Sequence, residues 1–173
     1  MGLMQPVGPA AAYPLSAEGQ AQRLERAGEQ IAELLRRPEV AQRVRAAGPE
    51  EWSALQVIGH VTELVAHWMS EIQVLVNATG EPPQFGRGLD APERLEAVAR
   101  GAASDPDALV RQMDGAVRAA AAEIRAMTPE QRAKTGTHNR RGKQTVAEFV
   151  EGLVVGHVED HVAQIKQVLG TPG

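Results

Sequence analysis

The chain contains no cysteine and very few aromatic residues, and each shortage excludes a class of protein. Without cysteine there can be no disulfide framework, no thiolate nucleophile and no cysteine-ligated zinc site. Two Trp, two Phe and one Tyr among 173 residues leave a core that must be largely aliphatic, which favours packed helices over a sheet. No apolar run approaches the roughly 18 residues of a membrane-spanning helix, so nothing is expected to span a bilayer.

An excess of positive charge is also missing, because 18 Lys and Arg residues face 22 Asp and Glu residues, for a net charge of −4. This balance argues against nucleic acid or an anionic membrane as the partner. The first residues carry neither the basic segment nor the apolar stretch of a signal peptide. We therefore expect a cytoplasmic protein that acts on a small molecule.

Hydrophobic residues at helical spacing predict one domain over residues 16–170, after a flexible N-terminal arm at 1–15. The four long helices are expected at 17–37, about 49–77, about 105–126 and 145–169. A broken helical segment is expected at about 92–101, and a basic polar loop leads into the last helix. No segment has the period of a strand. The first connection is short and the next two are long, so the predicted fold is an all-α four-helix bundle with long crossover connections.

The last predicted helix carries two histidines where its apolar stripe requires aliphatic residues. The helix begins with a capping box, in which Thr145 and Glu148 can satisfy each other's backbone N–H groups. His157 and His161 follow on the stripe, and residues four apart lie one above the other, roughly 6 Å apart. Two imidazoles placed in this way can hold the same metal ion. The alternative is a pair of core histidines that bond to backbone or water.

A metal ion held by this pair needs at least one more ligand, and His60 is the best candidate. It lies at the edge of the buried stripe of the second helix. Gly59 precedes His60 as Gly156 precedes His157, and the missing side chains would leave room for a close helix approach, a water or a substrate. His67 lies about 10.5 Å further along the same helix, so we expect it at the pocket rim or on the surface.

Three histidine ligands leave coordination positions open, as in catalytic rather than structural zinc sites. Three imidazoles suit zinc, nickel, copper or iron, so the ligands alone do not identify the metal. Gln164 and His138 are candidates to place a substrate. The alternative for Gln164 is an ordinary polar residue at the edge of the helix, and the alternative for His138 is a solvated loop histidine. Glu63, one turn from His60, is a candidate general base or a candidate hydrogen-bond partner of a metal-ligating histidine. Asp160 stands in the string HVEDH, near the inverted zinc-protease motif, and is either a base or a solvated carboxylate.

Two strings carry a resemblance to a known family: EEWSALQVIGHVTEL and TVAEFVEGLVVGHVEDHVAQI. They resemble the DinB-like superfamily of metal-binding four-helix bundles, which includes bacterial low-molecular-weight-thiol S-transferases. The resemblance covers about 16–169 and is most specific in the pattern H-x3-H-x2-Q-I of the last helix. It implies a metal triad of His60, His157 and His161, zinc or nickel at one end of the bundle, and often a homodimer. It also makes His138 the counterpart of the loop histidine of the thiol transferases, although the proline that usually follows is absent.

These patterns leave three interpretations of function open. The first is a metal-dependent enzyme, either a thiol S-transferase with a low-molecular-weight thiol as cofactor or a hydrolase acting on a small electrophile. The second is a non-catalytic module that binds a metal or a small molecule, as in a stress response. The third is a structural or interaction bundle whose histidines only pack.

Overall fold

The computed structural model describes residues 15–171, so the predicted arm at 1–15 lies outside it apart from Leu15. The helices are α1 (Ala17–Arg36), α2 (Ala54–Asn77), α3 (Pro92–Ala103), α4 (Pro106–Ala126), α5 (Pro129–Ala133), α6 (Val146–Phe149) and α7 (Gly156–Leu169). A 3-10 turn (Pro38–Val40), two strands, β1 (Thr135–His138) and β2 (Gly142–Thr145), and a π-helical segment (Val150–Val155) complete the described chain.

The four long helices form a bundle whose consecutive members are not neighbours. Helix α1 packs against α4 and α7, and α2 packs against the same two helices. The order around the bundle is therefore α1, α4, α2, α7, which requires long crossover connections. The predicted bundle is confirmed. Its core is aliphatic, as the shortage of aromatic residues predicts, and the largest fully buried side chains include Leu24, Ile31, Leu64, Ile72, Met113, Ile124 and Ile165.

Side-chain caps set the start of the helices, and one predicted start is wrong. The capping box of Thr145 and Glu148 is present as expected. Helix α2, however, begins at Ala54 rather than near residue 49, because Ser53 and Gln56 form a second capping box. Glu50 has a φ of 61°, in the left-handed region that helix interiors exclude. The proline and two glutamates that suggested an earlier start therefore lie in the preceding turn.

The basic loop expected before the last helix is a two-stranded antiparallel hairpin, so the expectation of no strand was wrong. Thr135 pairs with Thr145 and His138 pairs with Gly142. The loop that follows α2 is tied to this hairpin, because the N–H of Phe85 donates to the carbonyl of Thr137 at 3.0 Å. Strands of four residues are too short to show a period of two in the sequence. The backbone hydrogen bond between Phe85 and Thr137 helps to hold β1 in place.

Two further segments also differ from expectation. The broken segment at 92–101 is a continuous helix, α3, with Pro92 in its first turn. It crosses α2 closely, since a side chain on Gly59 would collide with the carbonyl of Ala97, and this is the close approach that the glycine predicts. Gly156 has no such crossing; its nearest contact is the carbonyl of Glu151 on its own helix.

The predicted last helix is continuous in direction but changes hydrogen-bond pattern in the middle. Over Val150–Val155 the bonds are π-helical, and the N–H of Gly156 donates to the carbonyl of Glu151, five residues earlier. A π segment fits an extra residue into the turn and rotates the side chains that follow it. The π-helical segment therefore determines the direction in which His157 and His161 point relative to the buried residues of the preceding turn. Among the described residues, no helix combines the length and the apolarity needed to cross a membrane.

Candidate metal centre and its cavity

The three histidines predicted as metal ligands meet at one point of the bundle. His60 comes from α2, and His157 and His161 come from successive turns of α7. One ring nitrogen of each lies within 4.8 Å of those of the other two. The rings of His157 and His161 stack with centroids 4.9 Å apart, and the ring of His60 meets that of His161 edge-on at 5.0 Å.

A hydrogen bond fixes which nitrogen of His161 faces the other rings. Its Nδ1 lies 2.8 Å from Oε1 of Gln164. Because an amide oxygen can only accept, Nδ1 must carry the proton, which leaves the lone pair on Nε2. That Nε2 is buried without a hydrogen-bond partner among the described residues, and so is Nδ1 of His60. Gln164 therefore lies behind a ring as its orienting partner, a common arrangement at metal-binding histidines.

Burial and mutual repulsion keep these rings neutral at pH 7. Burial lowers the pKa of His60 to about 3, with the neighbouring ring of His161 adding to the effect. Burial likewise lowers the pKa of His157 to about 4, again assisted by His161. Burial also lowers the pKa of His161, although the hydrogen bond with Gln164 acts in the opposite direction and raises it. Neutral imidazole is the form that binds metal ions.

These observations fit a divalent metal ion. Two buried, unpartnered ring nitrogens would be costly in a packed core, since each unsatisfied group costs about 1–3 kcal/mol. A shared cation satisfies both at once and uses the neutral rings as they stand. Three imidazoles suit zinc, nickel, copper or iron, so the donor set does not choose among these metals.

A cavity of about 220 Å³ opens beside the triad. Its walls carry both apolar and cationic groups, and none of the described residues that line it carries a carboxylate. The lining residues are His60, His157, His161, His138, Trp68, Leu89, Leu153, Gly88, Arg87, Arg94, Arg140 and Arg141. A small molecule in this cavity would therefore lie against both the histidines and guanidinium groups.

His138 lies on the wall of the same cavity as the triad. It is 5% exposed, and its ring packs against Trp68, Phe85 and Phe149. Its Nδ1 accepts hydrogen bonds from the backbone N–H groups of Arg140 and Arg141, at 3.1 and 3.2 Å. The proton must therefore reside on Nε2, which makes the ring a hydrogen-bond donor there. Burial, and then the two arginines, lower the pKa of His138 and favour this neutral form.

The remaining candidates lie apart from the triad or are engaged elsewhere. Glu63 forms two hydrogen bonds with Arg87, so its carboxylate is held in an ion pair. His67 lines a separate groove between α2, α3 and α4. Asp160 is exposed and lines a neighbouring groove that also contains His157. Gln164 does not line the cavity, and its predicted part in substrate placement stays a prediction.

The sequence reasoning missed the arginines of the cavity. Arg140 and Arg141 were recognised only as part of a basic loop, while Arg87 and Arg94 fell in segments without a regular pattern. Trp68 was expected only as part of the buried stripe of α2. The one available signal was the pair of adjacent arginines two residues after a candidate histidine.

Comparisons with known proteins agree with the architecture. The model of the DinB superfamily matches residues 23–165. The fold is similar to that of YfiT from Bacillus subtilis, described as a probable metal-dependent hydrolase with an unusual four-helix bundle topology. The TM-score is 0.71 at 16% sequence identity, over 95% of this chain and 94% of that one, a likeness that shows the fold alone. No curated protein sequence matches the chain.

Proposed function

Because this chain belongs to the DinB superfamily, we propose that it is a metal-dependent enzyme that hydrolyses a small molecule. The observation that carries the proposal is the convergence of three neutral imidazoles beside a cavity, two of them with an unpartnered buried nitrogen. The description of YfiT as a probable metal-dependent hydrolase supports hydrolysis as the reaction.

His60, His157 and His161 would hold a divalent cation, which would supply Lewis-acid chemistry for the hydrolysis. The three ligands are neutral, so they leave the charge of the ion uncompensated. Gln164 keeps the ring of His161 in the tautomer and orientation that ligation needs. The ligands come from two packed helices, which hold their positions more rigidly than a loop would.

The rest of the cavity binds and orients the substrate. His138 presents an N–H at Nε2, and we assign to it a hydrogen bond to a substrate oxygen. Leu89, Leu153 and Trp68 provide apolar contacts. No carboxylate lines the cavity within residues 15–171, so we assign no Asp or Glu base to the cavity wall.

Metal binding is tested first, by elemental analysis of protein purified without a nickel column. We expect about one equivalent of metal in the wild type and background levels in His161→Ala. A chelator should lower the melting temperature of the wild type only, since at about 100 times Kd a ligand stabilises the folded state by about 2.7 kcal/mol. His67→Ala is the matched control, because that histidine lies in another groove. Equal metal content in His161→Ala and the wild type would overturn the proposal.

The reaction is tested with the metal-loaded protein on a panel of activated esters and small electrophiles. Turnover in water alone supports hydrolysis. Turnover that requires added N-acetylcysteine supports thiol S-transfer instead, the alternative suggested by the place of His138 beside the triad. If bound metal is present but no substrate of the panel is converted in either condition, the chain is better described as a metal-binding module.

A further inference from the structure

We propose that the arginines of the cavity form a subsite for an anionic group, so that the molecule bound there carries a carboxylate or a phosphate. That this molecule is a substrate rests on the proposed function, whereas the anion subsite itself does not. Four guanidinium groups line the cavity: Arg87, Arg94, Arg140 and Arg141.

Only one of the four forms an ion pair within the described chain. Arg87 forms an ion pair with Glu63, with one of its hydrogen bonds at 2.7 Å. Arg94, Arg140 and Arg141 form no salt bridge among residues 15–171. Three full positive charges therefore face a cavity that no acidic side chain lines.

Each of these three arginines is held in place by a backbone carbonyl. Arg94 donates to the carbonyl of Leu89 at 2.6 Å, Arg140 donates to that of Arg87 at 2.6 Å, and Arg141 donates to that of Gly152 at 2.8 Å. A carbonyl orients a guanidinium group without cancelling its charge. Each group has five N–H donors, so most remain available to a ligand.

Two of the guanidinium groups also lie close to a neighbouring surface, and that of Arg94 is further restrained by an aromatic ring. Arg94 lies over the ring of Trp52 at 4.7 Å, and that ring meets the ring of His60 edge-on at 5.2 Å. The guanidinium group of Arg141 lies close to the Cα of Gly152, where the missing side chain leaves room for it. The arginines of the cavity are thus partly organised before a ligand arrives, which lowers the cost of binding.

The nature and size of the cavity define the class of ligand. Guanidinium groups pair with carboxylates and phosphates through parallel, charge-assisted hydrogen bonds. A volume of about 220 Å³ admits only a small molecule. The substrate then has an anionic group held by the arginines and a reactive group directed at the histidines, and Leu89 and Leu153 add apolar contacts.

The test uses the metal-free full-length protein, so that an anion cannot bind through the cation. Succinate and inorganic phosphate are the anionic probes, and the neutral succinamide is the control ligand. Binding is followed by NMR through the arginine Nε–H resonances. We expect succinate or phosphate, but not succinamide, to bind the wild type, and the tighter of the two anions assigns carboxylate or phosphate as the group recognised.

Matched variants locate the subsite. Arg94→Gln and Arg140→Gln should each weaken binding about tenfold or more, the effect of losing a charge-assisted hydrogen bond. Arg94→Lys should recover part of it. Arg118→Gln removes the same charge from an exposed ion pair on α4 and should bind like the wild type. Thermal melts confirm that each variant is folded.

Metal content separates this inference from the proposed function. No arginine is a ligand, so every arginine variant should retain the wild-type metal level. Anion binding without metal binding would overturn the proposed function and leave the subsite standing. The subsite is overturned if neither anion binds the wild type, or if the cavity variants and Arg118→Gln bind equally well.

Discussion

The cavity has two walls that are built in opposite ways. The histidine wall, His60, His157 and His161, comes from packed helices; its rings are neutral, and those of His60 and His161 each have a buried, unpartnered nitrogen. The arginine wall, Arg87, Arg94, Arg140 and Arg141, comes from the loop after α2, the start of α3 and the turn of the hairpin. Its groups are charged and anchored mostly to backbone carbonyls. Ligation requires positions fixed within a fraction of an ångström, which packed helices provide.

The largest expected contrast between the walls is their response to pH. Unfolded histidine titrates near 6.5, but burial lowers the pKa of His60 to about 3 and that of His157 to about 4 in the folded chain. As the pH falls through 6.5, the unfolded state takes up protons that the folded state does not. The metal-free protein should therefore lose stability between pH 7 and pH 5, with each histidine adding at most about 1.4 kcal/mol per pH unit.

This prediction is checked by denaturant unfolding at several pH values. His60→Gln removes one titrating ring of the histidine wall and should make the dependence shallower. Arg118→Gln removes a positive charge from an exposed ion pair on α4 and should leave the slope unchanged. A wild-type slope equal to that of His60→Gln between pH 7 and pH 5 would contradict the assignment of a buried, neutral His60.

The second contrast concerns the one ion pair of the arginine wall. Arg87 and Glu63 are 12% and 15% exposed, so Glu63→Gln leaves a nearly buried guanidinium group without its counter-charge. We expect a loss of about 3 kcal/mol in the free energy of unfolding, the low end for a broken buried pair. Asp114→Asn breaks an exposed pair with Arg118, at 45% and 74% exposure, and should cost less than about 0.5 kcal/mol.

The metal content of Glu63→Gln shows whether this change affects the histidine wall as well. Glu63→Gln changes the arginine wall and leaves the histidine wall intact, so bound metal should remain near one equivalent. Loss of metal in this variant would show that the two walls are coupled and that Glu63 supports the ligands directly.

The smallest of the three effects is expected at Gln164. Gln164→Leu removes the acceptor of the His161 Nδ1–H and frees that ring to rotate. The metal affinity should fall about 10–100-fold, the usual result of removing a partner of a ligating histidine. Gln164→Glu keeps an acceptor in place and should retain most of the affinity. Competition with a coloured chelator measures both, and equal affinities for the wild type and Gln164→Leu would exclude the orienting role.

The histidine wall could be predicted because its signals are local. The spacing of His157 and His161 places both on one helical face, whatever the rest of the chain does. The capping box at Thr145 marks where that helix begins, and it is present in the structure. The prediction of His60 as a ligand was less direct. The apolar stripe of α2 indicates that His60 lies near an inward face, but it does not indicate which residues of other helices that face contacts.

The failed predictions involve weak or competing local signals. Pro49 and two glutamates resemble a helix start, but the capping box at Ser53 lies nearer to the apolar stripe and sets the actual start of α2. The hairpin strands of Thr135–His138 and Gly142–Thr145 are too short to show alternation. The π-helical segment leaves no mark in the spacing of apolar residues, so the last helix was expected to be regular.

Helical periodicity in the chain was sufficient to predict the bundle and the inward histidines, because hydrogen bonds between near neighbours set the direction of each helical side chain. The arginine wall depends on contacts between distant segments, such as Phe85 with Thr137 and Arg140 with the carbonyl of Arg87. Such contacts form only where packed helices bring two loops together. A long, flexible side chain takes its position from that environment, so the charged half of the cavity became visible only in three dimensions.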